Sequence, residues 1–346
     1  MALITFVSFR LGLSDGVSIE AAKWMQACRA LGHDVRSVAG EGPVDVVLRG
    51  LRMNAPVPPS FDDLARALVD ADVVVVENLA SLPLNVKARY VLYDVLHNRR
   101  ALFHHHDLPW QRTHLAHLEG PRDEPQWCHV TINALSQRQL RERGIESVLL
   151  PNSFDCDPPM GSRDTTRAQL GLREERLVLM PTRALARKNV AGALELCERL
   201  DAQLWLLGPA EDGYGETLDS LLDASKVIVR RGLDVGDVHD AYAACDLVVM
   251  PSTWEGFGNP VLEAVTHRRA LALNVYPVAR EFIARGFEFF ELDEVSKIRE
   301  FIEAPDAALL DRNLEVARKY FNLDDLAPAL SEVLSHMNVQ SAPLVS

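Results

Sequence analysis

Short apolar runs alternate with amphipathic stretches along the whole chain, and this alternation limits the folds open to it more than any other feature. Six runs predict buried strands in the first half: Leu3–Phe9, Val44–Leu48, Val73–Val76, Ala101–His105, His129–Ile132 and Ser147–Leu150. Six more follow at Leu177–Met180, Gln203–Leu207, Val227–Val229, Leu247–Met250, Ala270–Leu273 and Phe287–Phe290. Between them a helical period predicts helices such as Ser18–Leu31, Asp62–Val69, Ala134–Arg143, Val190–Leu200 and Asn259–His267. Continuous apolar strands separated by helices suit parallel sheets covered on both faces, so the fold class is α/β.

Twelve strands are too many for one comfortable sheet, and 346 residues exceed what one core usually serves. The break is expected at Pro151–Ser162, where Pro151, Asn152, Pro158, Pro159 and Gly161 crowd a short polar segment. The expected division is 1–155 as a first doubly wound, Rossmann-like domain joined by the C-terminal helix, 156–337 as a second, and 338–346 as a frayed tail. Two such domains facing across a cleft would bind ligands at the carboxyl ends of their strands.

Charge removes one class of partner. Lys and Arg number 36 against 49 Asp and Glu, a net charge of −13, which argues against nucleic-acid binding. A local cluster of Arg and Lys can still hold a diphosphate. The five cysteines are scattered and form no C-x-x-C pair, so they read as reduced core thiols of a cytoplasmic protein. The N-terminus lacks the basic region of a signal peptide, and no apolar stretch approaches a spanning length. Leu84–Arg100 carries Lys87, Arg89, Arg99 and Arg100 among apolar residues; it reads as an ordinary surface helix, and no membrane association is expected.

Four segments carry the chemistry. The first runs from Trp254 through Glu255, Gly256, Phe257, Gly258, Asn259 and Pro260 to Glu263, directly after a buried strand. Its glycines free backbone N–H groups to meet an anion, and Pro260 suits the first turn of the next helix, whose positive end faces the loop. The second is Pro181–Asn189, where Arg183 and Lys188, five apart across a strand-to-helix loop, can converge on one diphosphate. The third is His104, His105, His106 and Asp107 at a strand end. Alternate side chains face opposite ways, so the three histidines cannot all reach one ligand. A metal site is a rival reading there, helped by His114 and His117, but no carboxylate or Cys completes a set at useful spacing. The fourth is Arg10–Ser18, a first βα turn holding Ser14, Asp15 and Gly16.

Glu255 and Glu263, seven residues between them, resemble the Glu-x7-Glu motif of the family 4 glycosyltransferases, and Arg183, Lys188 and Asn189 match the family's Arg and Lys-Asn. Thr182 stands where the family usually has Gly. The resemblance implies a GT-B fold and retaining transfer of a hexosyl unit from a nucleotide-sugar donor to a carbohydrate hydroxyl. It also implies the roles. Glu263 would hold the ribose, Glu255 the donor sugar, and the amides from Gly256 to Asn259 sugar and phosphate. Arg183 and Lys188 would take the diphosphate, and His106 would lie against the sugar. Gly16 would sit near the leaving phosphate, with Ser14, Asp15 and Asp107 on the acceptor side. Gly232 and Asp246 fit the nucleotide-base region. No cofactor or metal is expected. GDP-mannose is the first donor expected and UDP-glucose the second. A non-catalytic nucleotide-sugar-binding protein and an epimerase of the same shape are the rivals. A nicotinamide dehydrogenase is disfavoured because no G-x-G-x-x-G follows the first strand.

Overall fold

Two parallel sheets organise the chain, each at the centre of its own unit. The computed structural model describes residues 1–233 and 236–341. One unit comprises Met1–Ser153 with the chain from Asp324 onward; the other is Phe154–Leu323.

The first unit's strands are β1 (Leu3–Arg10), β2 (Asp34–Glu41), β3 (Val46–Val47), β4 (Val73–Glu77), β5 (Ala101–His105), β6 (Trp127–Thr131) and β7 (Val148–Leu149). Helices α1 (Gly16–Ala30), α2 (Phe61–Ala67), α3 (Val86–Leu96) and α4 (Ala134–Arg141) connect them. The strand order is β3-β2-β1-β4-β5-β6-β7, all parallel. Val7, Val38, Val74, Val76 and Phe103 bury one sheet face against Leu64, Leu68, Leu92 and Leu96 of the α2 and α3 region.

In the second unit β8 (Arg176–Met180), β9 (Ala202–Leu206), β10 (Val229–Arg231), β11 (Leu247–Met250), β12 (Leu271–Leu273) and β13 (Phe290–Glu291) form a parallel sheet ordered β10-β9-β8-β11-β12-β13. Its helices are α5 (Arg163–Gln169), α6 (Val190–Leu200), α7 (Gly215–Ala224), α8 (Val238–Ala244), α9 (Asn259–Thr266), α10 (Ala279–Ala284), α11 (Val295–Glu303) and α12 (Ala307–Phe321). Val178, Met180, Leu204, Leu206 and Val249 pack on Val190, Leu194 and Cys197 of α6. Chain order reverses between β1 and β4 in one sheet and between β8 and β11 in the other, so each unit has a switch point whose loops diverge at the carboxyl edge.

Three expectations change. β2 escapes an apolar search because its sequence, Asp34 to Glu41, alternates charge with small residues and is only partly buried. It pairs with β1 over nearly its whole length, and it is buried only in its C-terminal half, from Val38. The second unit ends at Leu323 rather than at 337, because α13 (Leu326–His336), which buries Leu330, Val333 and Leu334, packs against α1. The expected frayed tail also begins later. Val339 is buried with its N–H on Leu334 O at 3.0 Å, and Ser341 Oγ lies 3.2 Å from His33 Nε2. Residues 342–346 of that tail lie outside the described residues.

Among the described residues no helix is long and apolar enough to cross a membrane. The basic stretch Leu84–Arg100 does not present all its charge outward. Arg89 is 1% exposed, with its guanidinium on Glu119 O at 2.7 Å.

Candidate active site

At the carboxyl end of β8 the chain runs through Pro181–Leu185 into a 3-10 turn, Ala186–Lys188, and then into α6. Asn189, at φ 53°, caps α6 by accepting from Gly192 N. The loop after β11 lies alongside, with Thr253 N on Arg187 O at 2.9 Å. Side chains then join the two loops: Lys188 Nζ is 2.5 Å from Glu255 Oε1, and an Arg187 guanidinium nitrogen is 2.8 Å from Oε2. Both Lys188 and Glu255 are buried. Burial acts to raise the Glu255 carboxyl, but Lys188 and Arg187 outweigh it and hold the carboxyl below its ordinary range. Burial pulls Lys188 below the usual lysine value against the attraction of Glu255. Two cations on one carboxylate leave this corner net positive, a setting that favours an anion.

Arg183 is held differently. It pairs with Glu211 at 2.6 Å, both side chains about a third exposed at 34% and 38%. A pair so exposed is worth little, so Arg183 is not firmly committed to Glu211. Its backbone is fixed by Gly208, where a Cβ would stand 2.5 Å from Arg183 Cα, and by Ala184 N on Pro209 O at 2.8 Å.

The start of α9 is built for backbone contact. Gly258 caps it at φ 102°, with Pro260 in the first turn. A Cβ on Gly258 would lie 2.2 Å from the Tyr276 hydroxyl, which donates to Phe257 O at 3.2 Å. The Phe257 ring points into an aromatic core, edge-on to Phe282 and Phe321 at 5.2 and 5.9 Å. The ring anchors the loop that runs from Gly256 to Asn259. One turn on, half-buried Glu263 accepts from Tyr242 at 2.8 Å. Burial first, then Glu263, drives the Tyr242 hydroxyl well above its ordinary pKa, so it stays a donor.

In the first unit the candidates follow β1 and β5. Asp15 caps α1, taking Ser18 N at 3.3 Å and Ser18 Oγ at 2.8 Å, with Arg10 Nε 3.2 Å away. Gly16 opens that helix rather than lying in the loop, and Ser14 is exposed beside it. Asp107 pairs with Arg112 at 2.9 Å. The histidines divide as strand alternation requires. His105 turns to His129 at 2.8 Å, while His104 Nδ1 and His106 Nε2 reach one oxygen of Glu77, at 3.0 and 2.8 Å. Glu77 ends β4, the strand paired with β5. Three donor atoms of Glu77, His104 and His106 lie within 4.8 Å of one another, so a carboxylate does complete a set that sequence spacing could not reveal. Both histidine contacts to Glu77 have hydrogen-bond lengths and converge on one oxygen, so the group is a hydrogen-bonded triad.

Other acids are committed elsewhere. Asp246 precedes β11 at the amino edge, bonded to Leu177 N at 2.8 Å and paired with Arg163 and Arg167, away from any nucleotide-base region at the carboxyl edge. Gly232 lies at the carboxyl edge, its carbonyl on Trp205 Nε1 at 2.7 Å. The sequence holds two Asp-x-Asp pairs, Asp70/Asp72 and Asp155/Asp157. Asp72 accepts from Leu3 N at the amino edge, and Asp157 pairs with Arg318 at 2.6 Å.

The structure thus joins Lys188 to Glu255 and sets Arg183, Gly256–Asn259 and Glu263 in the loops and helix after β8 and β11. It places His106, Asp107 and the Ser14–Gly16 turn at the carboxyl edge of the first sheet. Arg187, Glu211, Tyr242 and Glu77 went unread in the sequence. Only Glu77 left a signal, an acid ending the apolar run Val73–Val76.

Comparison with known proteins bears on the fold and the family resemblance. Residues 162–321 match the family described as glycosyl transferases group 1. Two curated relatives are each called mannosylglucosylglycerate synthase. The Thermotoga maritima protein is 27% identical, with 96% of this chain and 99% of that protein covered. The Petrotoga mobilis protein is 25% identical, covering 84% of this chain and 86% of that one. Among solved structures, Anabaena HepE in complex with UDP and glucose superposes with a TM-score of 0.78 at 17% identity, over 97% of this chain and all of that one. A sucrose-phosphate synthase from Thermosynechococcus elongatus gives 0.73 at 17%, over 98% and 99%. At such identities these two structures speak to the fold.

Proposed function

We propose that this chain, a family 4-like glycosyltransferase of the GT-B fold, moves a mannosyl unit from GDP-mannose to a hydroxyl of a sugar or oligosaccharide acceptor, with retention at the anomeric carbon. The observation that carries the reading is the Arg187–Lys188–Glu255 cluster, a net positive corner beside the α9 N-terminus at the second sheet's switch point. The names of the Thermotoga and Petrotoga relatives favour a mannosyl donor.

In this reading the donor diphosphate lies against Lys188, Arg183 and the amides of Gly256–Asn259. Charge grows on the leaving phosphate as the sugar departs, and fixed cations with a helix N-terminus stabilise that charge without reorganising. The leaving oxygen takes the acceptor proton on the same face, so no carboxylate need act as base. Glu255 positions the transferred sugar and Glu263 the ribose. His106 contacts the sugar, Gly16 lies near the leaving phosphate, and Ser14, Asp15 and Asp107 line the acceptor side. The cations take the charge-stabilising part, so no metal is required. A cytoplasmic setting belongs to this reading, and five free thiols support it.

UDP-glucose is the second reading, favoured by the fold shared with HepE, which was crystallised with UDP-glucose. Thermal shift against a panel of nucleotide sugars, followed by product analysis with and without acceptor, tests both. Stabilisation by GDP-mannose and transfer without epimerised donor is the expected result. Stabilisation without turnover would leave a binding protein.

A further inference from the structure

Glu77 is 0% exposed, and a buried carboxylate persists only when hydrogen-bonded or paired. Its partners come from β5 and the residue after it. His104 and His106, two positions apart, share a side of the chain and both meet Oε2, while Oε1 has no partner. A carboxylate only accepts, so His104 Nδ1 and His106 Nε2 must each carry a proton. The His104 ring is in turn stacked on Trp24 at a centroid distance of 4.0 Å. Asn78, next to Glu77, fixes the backbone above by accepting from His106 N and Asp107 N, each at 3.2 Å. His106 is therefore held at both ring and backbone, with Nε2 turned inward and Nδ1 as the ring's remaining polar atom.

We propose that Glu77 is a positioning residue for His106, fixing Nε2–H inward so that Nδ1 is the ring atom presented to the donor sugar. His104 is the brace that keeps Glu77 in place. The charges around the ring agree. Burial works against a charge on His106, but the Glu77 hydrogen bond and charge, then Glu20 of α1 and Asp107, raise its pKa above the ordinary histidine value. Burial keeps His104 below that value despite Glu77, with His106 also opposing its charge, so His104 is the neutral donor of the set. Cys28 of α1, also near Glu77, is pushed up to about 12 by burial and stays neutral. With His106 charged, Nδ1 carries a proton and donates; without Glu77 the ring loses both its orientation and that proton.

The contact to the sugar rests on the glycosyltransferase reading; the ring geometry does not, and the experiment separates them. The first measurement is the ¹⁵N spectrum of the full-length protein labelled at histidine, across pH. Nε2 of His106 is expected to stay protonated throughout, with Nδ1 releasing its proton above the ordinary histidine range. In Glu77→Gln that release shifts to lower pH. The second is the pH profile of kcat/KM with GDP-mannose and, separately, UDP-glucose. The alkaline limb is expected to move to lower pH in Glu77→Gln, with kcat down about ten- to a hundredfold, the worth of one charged hydrogen bond. Glu77→Asp should restore part of it. Binding of GDP or UDP alone should be unchanged.

A His106 ring whose Nε2 is unprotonated in the wild-type spectrum would overturn the proposal, even if Glu77→Gln does not fold. So would a folded Glu77→Gln with the wild-type profile, or stoichiometric Zn²⁺ binding that Glu77→Gln abolishes, since a metal would displace both inward protons. If neither donor turns over but the spectra behave as expected, the positioning stands and the glycosyltransferase reading fails.

Discussion

Lys188 Nζ stands 2.5 Å from Glu255 Oε1, so a cation read as a phosphate ligand and an acid read as a sugar ligand form one buried ion pair. The pair locks the loop after β8 to the loop after β11. Arg187 on the second oxygen keeps Glu255 compensated if Lys188 turns to a phosphate.

Removing one member of this pair should cost more than removing both. Lys188→Met leaves a buried carboxylate with Arg187 alone, and a loss of about 3 kcal/mol is expected. Glu255→Gln leaves a buried ammonium. The double variant Lys188→Met/Glu255→Gln should be clearly more stable than the sum of the singles predicts. Urea unfolding of the four proteins measures the coupling.

Acid should find the same pair. Glu255 has its pKa lowered in the folded state, so its contribution is fully present above the ordinary carboxylate pKa of about 4.3 and is lost as pH falls through the folded value. Wild-type stability should therefore fall more steeply with acid below that point than the stability of Glu255→Gln. Chemical denaturation at a series of pH values reads the slopes, and equal slopes would deny the linkage.

The two glutamates should separate kinetically. Glu263, on Tyr242, is read as holding the ribose, whose contacts are the same before and during transfer. Glu263→Ala should raise donor KM about ten- to a hundredfold, the worth of one charged hydrogen bond, with kcat less affected. Glu255→Gln should lower kcat more than it raises KM, because positioning at the reacting centre suffers. Steady-state kinetics at saturating acceptor decides; the reverse pattern would exchange the roles.

Gly258 should tolerate no side chain. At φ 102° an L-residue is strained, and its Cβ would stand 2.2 Å from the Tyr276 hydroxyl. Gly258→Ala is expected to cost about 1–3 kcal/mol and to weaken nucleotide binding by displacing the α9 N-terminus. Pairing it with Tyr276→Phe should recover part of the stability but not the φ strain. Thermal unfolding and nucleotide titration of both variants test this.

Activity should survive chelation. Arg183, Arg187 and Lys188 supply the positive charge, and Asp72 and Asp157 of the two Asp-x-Asp pairs are engaged by Leu3 N and Arg318. Loss of transfer in EDTA with recovery on adding manganese would give the Glu77 triad a metal role instead.

Sequence alone determined the α/β class and which two loops of the second sheet carry glycines and paired charges after a buried strand. The physical reason is local: buried parallel strands read as apolar runs, and a strand, a glycine turn and a helix start occupy consecutive residues. It also determined that His104 and His106 share a side and His105 does not, because strand alternation is local too. Only the tertiary structure decided what those side chains meet. Glu255 meets Lys188 across 67 positions, Glu77 meets His106 across 29 and Tyr242 meets Glu263 across 21. The pairing of β2 with β1 was likewise decided there. Neighbours in a parallel sheet are brought together by crossover connections, so the partner of a buried charge lies on the next strand in space, where no spacing in the chain marks it.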